Sequence, residues 1–287
     1  MATVGSGRYT YDVIDRWGQL PPGQSFGRVS DVAVDSQDRV YVFQRHETPV
    51  LIFDRDGKFL DSWGEGQIED PHGIYIQNDL VYLTDRDEHT ARVFTLDGDP
   101  LLTLGNPGQP SNTGATKDGE LVPHAAGPFN KPTKLAPAPS GDLYVSDGYR
   151  NARVHRFAQD GQLLSSWGAP GKTAPGEFHL PHSIWVGPDG RVYVCDRENS
   201  RIQIFSPEGE FLTQWTDVHR PTDLYFDAEG TAYVTELLPR VSVLDPEGKA
   251  IARWESLGFH GLIGDSRGDL YLASVGERLV TKCVRRG

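Results

Sequence analysis

Three histidines, His72, His182 and His260, each open a strand-like run, and they do so in alternate copies of an internal repeat. Aligned on these positions, the copies read Val29-Ser30-Asp31, Pro71-His72-Gly73, Pro132-Thr133-Lys134, Pro181-His182-Ser183, Pro221-Thr222-Asp223 and Phe259-His260-Gly261. Ser, His, Thr, His, Thr, His is a strict alternation. On a closed ring it brings three imidazoles to one depth with near-threefold geometry. Three imidazoles with a fourth position open is the ligand set of a catalytic zinc. His46, His89, His124, His155, His179 and His219 lack this phase and read as surface or satisfied core residues.

Antiparallel order supplies the rest of that face, because the end of each second strand returns to the rim where the first began. The residues there are Gln44-Arg45, Asp85-Arg86, Asp147-Gly148-Tyr149, Asp196-Arg197, Glu236 and Ser274. Arg45 and Arg197 are fixed cations suited to a carboxylate or oxyanion, and Tyr149 is a phenol suited to proton transfer. Asp85, Asp147 and Asp196 recur too regularly to be chemical and are expected to accept backbone hydrogen bonds in the turn that follows. Arg86, Arg153 and Arg201 are expected at the surface or between repeats.

The elements that must position these groups are strands. Asp189 to Trp215, DGRVYVCDRENSRIQIFSPEGEFLTQW, shows short β-branched and aromatic runs bounded by Asp-Gly, Asn-Ser and Pro-Glu-Gly, the grammar of consecutive hairpins. It returns five more times with a period of roughly forty residues and no helical signal, which predicts an all-β, six-bladed β-propeller. The last copy stops after its third run at Cys283, while YDVIDRWG near the N-terminus carries Trp17 in the pattern that ends other copies at Trp63, Trp167, Trp215 and Trp254. The N-terminal strand is therefore expected to complete the sixth blade, closing all 287 residues into one domain. Residues 106–128, rich in Pro, Gly, Ser, Thr and Asn, interrupt the period as a long insertion, either a lid over one face or a mobile surface loop.

Composition narrows the partners. A formal charge of -12 with scattered basic residues argues against a nucleic-acid backbone. No apolar run reaches the roughly 18 residues of a membrane span, and MATVGSGRYT lacks a basic and an apolar segment, so a cytoplasmic protein with a small-molecule substrate is the expectation. Cys195 and Cys283 read as buried free thiols, with a single disulfide left open.

The repeats resemble NHL repeats. PGEFHLPHSIWVGPDGRVYVCDRENSRIQIF, with NKPTKL…LYVSDGYRNARVHRF, is similar to the peptidyl-α-hydroxyglycine α-amidating lyase family, and the likeness spans nearly the whole chain. The resemblance implies a zinc held by His72, His182 and His260, with Arg45, Tyr149 and Arg197 as catalytic residues and a carboxylate-bearing substrate. It also implies a channel calcium bound partly through backbone carbonyls of Val32 and Ile74. Gly261 stands where that family has a calcium-binding aspartate, which speaks against calcium; Gly258 replaces a substrate-contacting methionine, and Arg150 a disulfide cysteine. The implied chemistry is a lyase acting on a carbinolamide-like substrate, with zinc as Lewis acid and Tyr149 as base. Alternatives are a hydrolase or lactonase using metal-bound water, and a non-enzymatic interaction scaffold.

Overall fold

The computed structural model describes residues 2–256 and 258–287. Six antiparallel sheets follow one another around a ring, each with its first strand innermost. Blade 1 runs Arg28–Val34, Val40–Arg45, Val50–Phe53 and Phe59–Trp63, and the others repeat the plan from Pro71, Pro132, Pro181, Pro221 and Gly261. The one helical turn among the described residues is the 3-10 segment Arg197–Asn199.

The burial of each strand follows from its place in the blade. Second strands such as Val40–Arg45, Leu143–Asp147 and Ala232–Glu236 are buried at nearly every residue, because neighbouring blades cover both faces. That is why VYV-type runs do not alternate. Fourth strands lie at the rim and expose part of one face, leaving Leu60, Leu101, Leu164, Leu212 and Ile251 in solvent. Blade-to-blade contact is aromatic. Trp63 of blade 1 packs on Phe94 of blade 2 with centroids 5.3 Å apart, and Trp17 packs on both Phe53 and Tyr271. The turn before a fourth strand must clear the tryptophan of the preceding blade where there is one: a Cβ at Gly98, whose φ is +90°, would lie 2.7 Å from the Trp63 ring.

The ends close the ring. Tyr9–Trp17 pairs antiparallel with Leu279–Arg285, setting Val13 against Cys283 and Trp17 against Val280. The chain then goes one step beyond the sequence expectation, because Thr3–Ser6 pairs with Tyr9–Trp17 and makes the sixth blade five-stranded. Cys195 and Cys283 are buried and free. Among the described residues no helix is long and apolar enough to cross a membrane.

Residues 106–128 carry no strand but are packed against the propeller. Val122 enters the core between blades 3 and 4, and Thr113 Oγ1 donates to the Arg150 carbonyl at 2.6 Å. Gly119 N donates to the Tyr149 carbonyl, and Asp118 pairs with Lys131 at 3.0 Å and Arg150 at 2.6 Å. The insertion therefore lies on the histidine-bearing face, beside Tyr149.

Candidate metal centre

The alternation of Ser, His, Thr, His, Thr and His is physically a ring of contacts between blades. His72 Nδ1 lies 2.7 Å from the Thr133 carbonyl, His182 Nδ1 2.7 Å from that of Thr222, and His260 Nδ1 2.6 Å from that of Ser30. Only a protonated Nδ1 can donate to a carbonyl, so these contacts fix the tautomer and leave each Nε2 unprotonated, with its lone pair facing the axis. The intervening residues return the favour. The hydroxyls of Ser30, Thr133 and Thr222 stand 2.8, 2.9 and 3.1 Å from the carbonyls of Pro71, Pro181 and Phe259, each just before a histidine.

The three rings meet on the axis. Their centroids are 4.6 to 4.9 Å apart, and one ring nitrogen from each lies within 4.8 Å of the others. Burial, reinforced by the other two imidazoles and Arg45, holds His72 well below the usual imidazole value. Burial and then Arg197 do the same to His182, while burial and then Arg45 push His260 down to about 3. All three are therefore neutral at pH 7, the form that ligates a metal. Among the described residues His72 Nε2 is buried without a hydrogen-bond partner, an orphan that coordination would satisfy. The donor set fits a divalent transition metal; imidazole also suits copper, iron and nickel.

Tyr149 stands over this centre, with its hydroxyl 3.3 Å from His182 Nε2 and its ring 5.2 Å from that of His72. Arg45 reaches the same rim, donating from Nε to the Pro71 carbonyl at 3.1 Å and pairing with Asp70. Its Nη2 is buried without a hydrogen-bond partner among the described residues. Arg197 lies 5.6 Å from the Tyr149 ring centroid and pairs with Glu198 at 2.9 Å.

Arg86 corrects the sequence reading. Its guanidinium sits 5.1 Å from the Tyr149 centroid and shares Asp70 with Arg45, so it belongs to this face. The signal was present: Arg86 follows Asp85 as Arg197 follows Asp196 in the repeat alignment. Asp70 had no signal of its own. Arg201 does lie between elements, where it bonds Asp196 and the carbonyls of Thr173, Ala174 and Glu177. The repeating aspartates are structural, and they gather backbone partners from before the first strand as well as after the second. Asp85, Asp147 and Asp196 accept backbone N–H groups from Asp70, Asn130 and His179 in the approach to the first strand, and Asp85 also accepts the expected one from Glu88 N in the following turn, at 3.4 Å. His155 is a satisfied core residue, bonded to Ser166 and Asp147.

The residues do not fit a channel calcium. The backbone N–H groups of Val32 and Ile74 donate to Asp31, and the cation facing that carboxylate is the Lys134 ammonium, at 3.1 Å.

The NHL repeat pattern matches residues 178–205. NHL repeat-containing protein 3 of Homo sapiens is 32% identical over 283 residues, which cover 88% of this chain and 78% of that protein. The chain belongs to the NHL-repeat family. This NHL-repeat protein is also 31% identical over 242 residues to a probable peptidyl-alpha-hydroxyglycine alpha-amidating lyase of Caenorhabditis elegans, covering 71% of the chain and 65% of that relative. Among solved structures, a gluconolactonase from Xanthomonas campestris superposes on the NHL-repeat protein with a TM-score of 0.72 over 99% of this chain and 95% of the other, at 14% identity. At that identity the likeness is one of fold alone.

Proposed function

We propose that this chain is a metal-dependent lyase that splits an α-hydroxylated amide bearing a carboxylate into a carbonyl compound and a primary amide. The observation that carries the reading is the convergence of three neutral imidazoles, each with its Nε2 unprotonated, on a point beside the Tyr149 hydroxyl and within a rim of arginines. The similarity to amidating lyases supports it. His72, His182 and His260 would hold the ion, zinc being the reading taken from the resemblance. Bound zinc supplies Lewis acidity that favours loss of a proton from a neighbouring hydroxyl.

The chain's own groups do the rest. Tyr149 Oη takes the carbinol hydroxyl proton, with Arg86 and Arg197 providing positive charge near its ring. The O–H electron pair becomes the new C=O, the C–N bond breaks, and its electron pair leaves with the amide nitrogen, which takes up a proton. Arg197 and the unpartnered Nη2 of Arg45 are the donors available to the substrate carboxylate. A reduced cytoplasmic compartment suits the buried free thiols Cys195 and Cys283.

The test is turnover of an N-acyl-α-hydroxyglycine in labelled water. A lyase releases the primary amide with unlabelled oxygen, whereas a hydrolase releases a carboxylic acid carrying solvent oxygen. Tyr149→Phe should lower kcat by about 10²–10⁴-fold with metal content unchanged. Acid product, or full activity in Tyr149→Phe, would overturn the assignment.

A further inference from the structure

One residue beyond the histidine ring the six first strands contribute a second tier, reading Asp31, Gly73, Lys134, Ser183, Asp223 and Gly261 in ring order. Asp31, Lys134, Ser183 and Asp223 are all buried. The Lys134 ammonium lies 2.8 Å from both oxygens of Asp223 and 3.1 Å from Asp31 Oδ2, so its three protons have three acceptors. The carboxylates are saturated from the other side. Asp31 accepts from the N–H groups of Val32 and Ile74, and Asp223 accepts from the Ser183 hydroxyl and the N–H of Leu262.

Both glycines of the tier are required by this packing. A Cβ at Gly261 would fall 1.9 Å from Asp31 Oδ1, and one at Gly73 would fall 2.5 Å from the Thr133 carbonyl. The space left between the two tiers is about 10 Å³, the least that holds one water. Two buried carboxylates facing each other repel and need a cation between them. An oxygen-rich pair of this kind is ordinarily completed by a hard divalent ion. Here the chain completes it from blade 3.

We propose that Lys134 is a resident internal cation standing where a second metal ion would complete the channel, so that the chain binds one ion, at the histidines, and its carboxylate tier is bridged by a cation from its own sequence. Lys134 is a positioning residue in this scheme: it ties blade 3 to Asp31 of blade 1 and Asp223 of blade 5 across the axis. The inference does not depend on the lyase reading, because its readout is cation content and fold stability.

The experiment uses the full chain and calcium alone as probe. After equilibration with calcium and gel filtration, the wild-type protein should carry no stoichiometric calcium, and its unfolding midpoint should not move with calcium concentration. Lys134→Met uncovers two facing carboxylates. It should retain one calcium per chain and show an unfolding midpoint that rises with calcium concentration, the mark of a ligand bound only by the folded state. Adding Asp31→Asn to that variant should abolish the response. Stoichiometric calcium on the wild-type chain overturns the proposal whether or not the variant folds. A folded Lys134→Met that ignores calcium overturns it as well.

Discussion

Acidification of the metal-free chain from pH 7 to pH 5 tests how the fold prepares its histidines. In an unfolded chain an imidazole titrates near 6.5. In the fold His260 is pushed down to about 3, first by burial and then by Arg45. The folded state therefore binds fewer protons than the unfolded state across this window, and stability falls as pH falls. For His260 alone the loss between pH 7 and pH 5 is about 2 kcal/mol. That is an upper figure, since His260 keeps partial exposure and solvent screens it. His72 and His182 are lowered in the same direction and add to the loss.

Asp31 works the other way. Burial pushes its carboxyl up to about 7 against the attraction of Lys134, so protonation of the folded state stabilises it as pH falls. The informative quantity is thus a difference. Urea unfolding of metal-free wild type and of His260→Gln at both pH values should show the wild type losing more than the variant, by at most about 2 kcal/mol. Equal losses would refute the claim that the fold holds His260 neutral. The loaded protein follows from the same logic: protons barely compete for imidazoles already depressed, so acid should release the ion together with unfolding rather than before it.

Three further outcomes are expected. His182→Ala should abolish bound metal and turnover together, read by elemental analysis and by activity on the same sample. Thr133→Val removes the hydroxyl that reaches the Pro181 carbonyl but leaves the backbone oxygen that holds His72; urea unfolding should show a loss of about 1–2 kcal/mol with metal content intact. Trp17→Ala, at a position 4% exposed and packed across the closing blades on Phe53 and Tyr271, should cost about 3–5 kcal/mol in the same measurement.

The histidines were legible because a recurring strand pattern, whatever the length of the links between copies, turns order along the chain into angle around an axis. His72, His182 and His260 needed only the period and ring closure, and closure was visible in Trp17. What the sequence hid is what closure alone creates. Lys134 meets Asp31 and Asp223 across the channel, and a lysine at a strand position carries no local sign that carboxylates from other blades will surround it. Arg86 was hidden differently: it shares a repeat position with Arg197, but its role depends on Asp70, which lies outside the strand pattern. Thr3–Ser6 and the insertion were obscured because one is a short edge strand and the other folds through contacts such as Thr113 with Arg150 rather than through periodic pairing.

The alternation has a physical reason that follows from the hydrogen bonds. A histidine is held ready to ligate through Nε2 when an acceptor fixes Nδ1, and in this propeller that acceptor is the backbone of the next histidine-free blade. That next position must present its carbonyl to the ring before it and a donor to the blade after it. Ser30, Thr133 and Thr222 do both with a side chain small enough to stay off the axis. A six-membered ring of blades is thereby reduced to a threefold ligand set in which every second blade holds its neighbour's imidazole. An ion at the centre is consequently gripped by all six blades, so metal binding and ring closure should reinforce each other.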